Sequence, residues 1–427
     1  MTDFAVTGAR VRGFDGLQDI VVSKKTISEI SPARKNSTTA LKCIDAEGGW
    51  VYPSFVNCHT HLDKALMTWA ANDKSQYVGG KEIGSMAVVK QGLTPANVVE
   101  RGSKVIEAAL STGTTFIRTH VDIDPIVQLK GMEGVLRLKE RYADYLQIQI
   151  AAFAQEGFEY DPKMKDLMRE SVRMGAEVVG GKPTSDADWK KHIDILFDIA
   201  KEFNCEVDVH VDTNIEKDYQ KDVSVHADGR RYPNELEGVY LAEKTIDLGM
   251  QGHVIASHLC ALDCLEPALR DNVIELLAKA EIGVITMPSV CLYIVARGDT
   301  HKVRRGCAPA RELLKGGVCT AYATDNLGDA FNLYSNPNML VNGWLASMMY
   351  RMKTVDDIQT VMDMGTLKPA KLMKLKNYGL RPGCDASFMV FQGTDFYDVF
   401  VNNRAPKLVF HSGRLTVTNT SESRIVH

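Results

Sequence analysis

From about residue 50 onward the chain keeps one rhythm. Short apolar, β-branched segments that end in polar or histidine residues alternate with longer segments of helical period. Eight strand-like pieces can be read: WVYPSFVNC, GTTFIRTHVD, LQIQIAAFAQ, AEVVGGKP, CEVDVHVD, GHVIASHL, IGVITMPS and VCTAYATDN. Between them lie helical candidates such as PANVVERGSKVIEAALSTG, MEGVLRLKERYADY, HIDILFDIAKEFN and CAPARELLKGG, the last closing on Gly316-Gly317, a helix stop. Alternating strands and helices imply right-handed β-α-β units and a parallel sheet. Eight units over about 300 residues predict a closed (β/α)8 barrel. An open doubly wound sheet, the runner-up, would carry a glycine-rich dinucleotide turn after its first strand, and the sequence has none.

The flanks read differently. DIVVSKKTISEISPA near the start, and YGLRPGCDASFMVFQG and PKLVFHSGRLTVTN near the end, are β-rich and too short to hold separate cores. They predict one small β-sandwich-like domain built from both termini, residues 1–50 and 377–427, beside a barrel over 51–376. A formal charge of −4 offers no basic field for nucleic acid and no polybasic membrane patch. No run of eighteen apolar residues occurs, and MTDFAVTGARVRGFDG lacks the apolar centre of a signal peptide. Nine cysteines without a C-x-x-C pair read as free thiols in a reducing compartment, so the expected location is the cytoplasm. Self-association is left open by the sequence.

In a (β/α)8 barrel the chemistry gathers at the C-terminal strand ends. Those ends carry His59 and His61, His120 and Asp122, Gln155 and Glu156, Lys182, His210 and Asp212, Ser257 and His258, and Asp325 and Asn326. Residues i and i+2 of a strand point to the same side, so His59 and His61 of FVNCHTHLDK can share one focus. An isolated H-x-H is weak evidence of a metal site. With a third histidine and a carboxylate it becomes a four-ligand catalytic site that leaves room for water. A divalent cation in such a site brings the pKa of water towards neutrality.

H-x-H on the first strand, histidines on the fifth and sixth and aspartate on the eighth, with a split β-domain, resemble the amidohydrolase superfamily over almost the whole chain. HTHLDK, RTHVDID, AAFAQEG, GAEVVGGKP, VDVHVD, ASHLCAL and ATDN look like the subgroup of cytosine deaminase and N-isopropylammelide amidohydrolase. The resemblance implies a metal-dependent hydrolase of a C–N bond in a small nitrogen heterocycle, acting by deamination or by removal of a substituted amine. It further implies one divalent metal ion, zinc or iron, on His59, His61, His210 and Asp325. His258 and Asp325 would be catalytic, and Gln155 would read the amide edge of the ring.

The sequence also departs from that subgroup. Thr213 in HVDT stands where cytosine deaminases carry a proton-shuttling glutamate, and a threonine hydroxyl cannot serve as an acid–base group near neutral pH. Glu216, three residues on, is a candidate to reach in. Asn326 replaces a second aspartate, and TMPSVC replaces an asparagine-bearing loop after the seventh strand. Thr213, Asn326 and Lys64 are therefore expected at the substrate, with a surface salt bridge as the other reading of Lys64. His120 and Asp122 are expected to support the metal ligands, and Asp63 and Asp212 to act as scaffold. His226 and His301 lie in loops that could border the pocket. Two alternatives stand beside the leading one. In the first, a carboxylated Lys182 bridges two metals in a cyclic amide or imide hydrolase. In the second, the barrel only binds, a reading that the intact ligand set argues against.

Overall fold

A computed structural model describes residues 3–33, 42–70 and 90–420. Eight strands form the barrel: β1 (Phe55–Thr60), β2 (Thr114–Asp122), β3 (Gln147–Ala154), β4 (Val178–Gly181), β5 (Glu206–Val211), β6 (Val254–His258), β7 (Gly283–Thr286) and β8 (Thr320–Tyr322). Neighbours in sequence are neighbours in the sheet, and every pairing is parallel. The ring closes where the Asp325 amide donates to the His59 carbonyl at 2.9 Å and the Thr60 hydroxyl donates to the Asp325 carbonyl at 2.9 Å. All nine residues of β2 are buried, as expected of a strand covered on both faces.

The connecting helices are α1 (Pro95–Ser111), α2 (Lys130–Arg141), α3 (Met164–Met174), α4 (Trp189–Phe203), α5 (Glu237–Asp247), α6 (Pro267–Lys279), α7 (Ala310–Lys315) and α8 (Met339–Met349). Their ends follow local chemistry. Thr94 caps the Asn97 amide while the Asn97 side chain returns the bond to the Thr94 amide, with Pro95 opening α1. Asp188 caps α4, and Asn204 ends it in a left-handed conformation. Val98, Ile106 and Leu138 pack between helices and barrel, together with Val179, Leu196 and Val207.

The stretch WVYPSFVNC is not one strand. Trp50–Pro53 pairs with Phe388–Phe391 in the other sheet, and only Phe55 begins the barrel. The switch occurs within two residues, because the Ser54 amide donates to the Ser387 carbonyl and the Phe55 amide to the Gly113 carbonyl. Strands from both termini meet, as expected, in one mixed sheet. Its order is Arg414–Thr418, Leu408–His411, Phe388–Phe391, Trp50–Pro53, Phe4–Val11, Leu17–Ser23 and Thr26–Pro32, and Cys43–Asp45 pairs with Phe4–Val11. Phe4 stacks on Phe410 with ring centres 5.0 Å apart, over Val6, Ile20, Val51 and Phe388. The outer limits 1 and 427 of the expected terminal domain lie outside the described residues. Among the described residues no helix is long and apolar enough to cross a membrane.

β4 is short and closely approached, which the glycine pair of VVGGKP permits. A Cβ on Gly180 would lie 2.1 Å from the Asp208 carbonyl oxygen, a backbone atom that cannot swing away. Gly180→Ala is expected to destabilise the fold by about 2–3 kcal/mol through overpacking. A urea denaturation midpoint equal to that of the parent protein would contradict this account of β4.

Candidate active site

The parity of β1 and β5 builds the centre. His59 is the penultimate residue of β1, His61 follows two residues later, just past the strand, and His210 lies two residues after Asp208 on the same side of β5. The His59 and His210 Nε2 atoms face each other at 3.2 Å. His61 Nε2 lies 3.2 Å and His59 Nε2 3.6 Å from Asp325 Oδ1. One donor atom from each of these four buried residues lies within 4.8 Å of all the others. Metal bonds of 2.0–2.1 Å in a tetrahedron set ligand atoms about 3.3 Å apart, close to these spacings. Asp325 Oδ1 is buried without a hydrogen bond, as are His61 Nδ1 and His210 Nδ1. A carboxylate oxygen left bare between two imidazole nitrogens suits a cation. Burial, reinforced by the crowding of the other imidazoles, holds His59 and His210 well below the ordinary histidine range, so both are neutral donors. Burial opposes the charge on Asp325, but His61 and His258 alongside hold its carboxyl below the ordinary value.

Backbone strain marks the same strand ends. Asp212, His258 and Asp325 have φ of +55°, +77° and +61°, a left-handed region that non-glycine residues rarely occupy. His258 Nε2 lies 3.7 Å from Asp325 Oδ2.

Beneath the histidines lies a buried polar column. Asp208 Oδ1 accepts from Ser257 Oγ at 2.7 Å, and Ser257 Oγ lies 3.1 Å from His59 Nδ1. Asp208 Oδ2 accepts from Arg118 Nη1 at 3.1 Å and faces His120 Nε2 at 3.4 Å. The His120 ring stacks on His59 with centres 3.9 Å apart, so this histidine supports the group from below. Arg118 is fully buried and also holds Gln149 and Glu206.

The rim is equally ordered. Lys64 is buried, donates to Asp122 at 2.9 Å and lies 3.5 Å from Gln155 Oε1, so its ion pair is not a surface one. Lys90 lies 2.8 Å from Asp122, 2.9 Å from Asp124 and 3.0 Å from Glu156. Asp63 accepts from the Asp122 amide, a scaffold role. Asn326 donates to Asp329 at 2.7 Å. Asp212 accepts from the Glu237 and Gly238 amides at the start of α5, and Glu237 accepts from the Asp212 amide at 2.7 Å. Lys182 directly follows β4, where burial lowers its ammonium pKa.

Some candidates fall elsewhere. Glu216 is exposed and paired with Arg304 at 3.0 Å, so it does not replace the missing glutamate. His226 pairs with Glu243 at 2.7 Å, and His301 is exposed; neither joins the convergent group. Half-buried Thr213 follows Asp212 directly. Sequence reasoning missed Arg118, Asp208, Lys90 and Glu237. For the first two a signal existed: Arg118 shares strand parity with His120, and Asp208 with His210, so each charge had to point inward.

This chain belongs to the amidohydrolase family, whose sequence pattern matches residues 42–418. With that come the hydrolases of non-peptide C–N bonds to which the motifs pointed. The chain is similar to the N-isopropylammelide isopropyl amidohydrolase of Pseudomonas sp. (strain ADP), 28% identical over 97% of each chain. It is also similar to the pterin deaminase of Rhizobium rhizogenes, 25% identical over 97% of this chain and 93% of the relative. The 5-methylcytosine deaminase of Klebsiella pneumoniae, solved with 5-fluorocytosine, superposes with a TM-score of 0.88 at 26% identity, covering 99% of both chains.

Two tests follow from the column and rim. Arg118→Met would strand the buried Asp208 carboxylate and should cost about 3–5 kcal/mol in chemical denaturation; a loss below about 1 kcal/mol would contradict the pairing. Burial, with repulsion from Asp212, pushes the Glu237 carboxyl from its ordinary 4.5 up to about 8. The folded state therefore holds a proton that the unfolded state releases. Its stabilisation is full below the ordinary value and fades as pH rises through about 8. Glu237→Gln should flatten the stability–pH curve between about pH 5 and 8, and a slope equal to the parent's would overturn the assignment.

Proposed function

We propose that the protein is a cytoplasmic, metal-dependent hydrolase of an exocyclic C–N bond on a small nitrogen heterocycle. His59, His61, His210 and Asp325 would hold one zinc or iron ion. The reading is supported by three buried imidazoles and a carboxylate with donor atoms within 4.8 Å of one another, and by relatives named for ammelide, pterin and methylcytosine chemistry. A single ion is preferred to a pair bridged by Lys182 because His59 and His210 present Nε2 atoms to one focus, 3.2 Å apart.

The cation supplies the acidification of water that makes hydroxide available near neutral pH. The chain's own groups do the rest. His258, beside Asp325, takes a proton from the attacking water and returns it to the leaving nitrogen. Water adds to the sp² ring carbon, the C–N bond breaks, and the amine departs with that proton. Gln155 offers a primary amide, donor and acceptor side by side, to a ring N–C=O, and Lys64 fixes its orientation. Because Asn326 spends an N–H on Asp329, its Oδ1 is left to accept from substrate. Thr213 contributes a hydrogen bond and no proton transfer.

Elemental analysis of freshly purified protein should find one equivalent of zinc or iron, and less than half an equivalent would sink the ligand assignment. His258→Asn should keep that metal and cut turnover by about a hundredfold or more. With no carboxylate at residue 213, kcat/KM should favour N-substituted aminotriazines over cytosine, whose ring nitrogen needs a proton. Efficient cytosine turnover would show that Thr213 is no obstacle.

A further inference from the structure

One cluster of potential ligands beside His258 plays no part in that chemistry. Cys260 lies two residues past His258, in the turn Cys260–Cys264. Cys291 lies in the helix Pro288–Ile294 after β7. Both thiols are fully buried, and neither forms a disulfide. Consecutive left-handed residues, His258 at φ +77° and Leu259 at +50°, turn the chain so that Cys260 comes back towards the histidine. One His258 ring nitrogen and the two sulfurs lie within 4.8 Å of one another.

The spacing of the sulfurs is informative. They lie 3.6 Å apart. Two thiolates bound at 2.3 Å to one tetrahedral ion stand about 3.8 Å apart, so only a small adjustment separates this pair from a coordinated one. Cys307 is tied to Thr286 at 3.0 Å and to Tyr350 at 3.4 Å, which makes it a brace for the wall behind Cys291 rather than a ligand.

We propose that His258, Cys260 and Cys291 form a second, thiophilic metal site, suited to a d10 ion such as zinc, whose occupation switches off the catalytic histidine. Two thiols lose their protons to solvent as the ion binds. The resulting assembly of a divalent cation, two thiolates and a neutral imidazole has no net charge, which makes its burial tolerable. Coordination of either ring nitrogen fixes the tautomer of His258, so the ring can no longer pass a proton between water and amine. In the metal-free site the contact between the thiols raises Cys291 and lowers Cys260, and burial keeps both above the ordinary thiol range. Below that range the apparent affinity should therefore rise roughly a hundredfold per pH unit, two protons leaving for each ion bound. Binding itself is independent of the proposed function, and only the inhibitory consequence rests on it.

The test uses the holoenzyme with its first metal in place, titrated with cadmium chloride. Thiolate-to-cadmium charge-transfer absorption and elemental stoichiometry are followed together with turnover. The expected result is one added equivalent of cadmium, the charge-transfer band, and loss of turnover in proportion, restored by a chelator. Cys260→Ala and Cys291→Ala should each weaken the added site at least tenfold and remove the band, whereas Cys43→Ser, at an exposed position, should keep both. No band in the parent protein, or a band that survives in both alanine variants, overturns the site. A full band with undiminished turnover overturns the inhibitory role. If none of the heterocycles is hydrolysed, band and stoichiometry still decide the site, so its failure and that of the proposed activity are told apart.

Discussion

Asp208 is the charge on which the interior depends. It sits fully buried inside a barrel of eight strands, where an isolated carboxylate would cost many kcal/mol. Burial works against its charge, yet His120, Arg118 and Ser257 hold its carboxyl below the ordinary value. Each of those contacts also performs another task. Ser257 turns the Nδ1 side of His59 into a fixed hydrogen-bonding edge, leaving Nε2 to face His210. Arg118 ties β2 to β5 across the interior, and His120 supports the His59 ring from beneath. The imidazoles above are oriented because the carboxylate below cannot be left alone.

The rim obeys the same rule with the signs reversed. Lys64 and Lys90 are cations with nearly no exposure, and Asp122 pairs with both while Asp124 and Glu156 complete the shell of Lys90. Gln155 and Glu156, adjacent in sequence, are thereby held by different lysines. A mouth built from such compensated charges can present fixed dipoles to a polar ligand without reorganising, which is the property that electrostatic catalysis requires. Strain at Asp212, His258 and Asp325 fits this picture, since left-handed backbone persists only where surrounding contacts over-determine it. Asp212 shows how: three backbone and side-chain bonds lock it to the start of α5.

Closure of the barrel and assembly of the centre are one event. The Asp325 amide bonds the His59 carbonyl, so the last strand end is joined to the first by the backbone of two residues whose side chains also converge.

Much of this was legible in the chain as written. Eight apolar segments ending in polar residues or histidine, spaced by amphipathic stretches, allow few folds other than a parallel barrel, and strand parity alone aims His59 with His61 and Asp208 with His210 to one side. The caps of α1 and α4 and the glycine stop of α7 are local and could be read directly. Other features depended on distance through space. That WVYPSFVNC divides at Ser54 depends on Ser387 and Gly113 offering carbonyls to adjacent amides. Glu216 lay close enough in sequence to replace a missing glutamate, yet Arg304 holds it at the surface. Lys90, Glu237 and the meeting of Cys260 with Cys291 had no periodic signature, because their partners lie 25 to 66 residues away. Periodicity reports which side of its own element a residue occupies. Which charges and thiols meet is decided only when the ring closes and brings the ends of separate strands to one mouth.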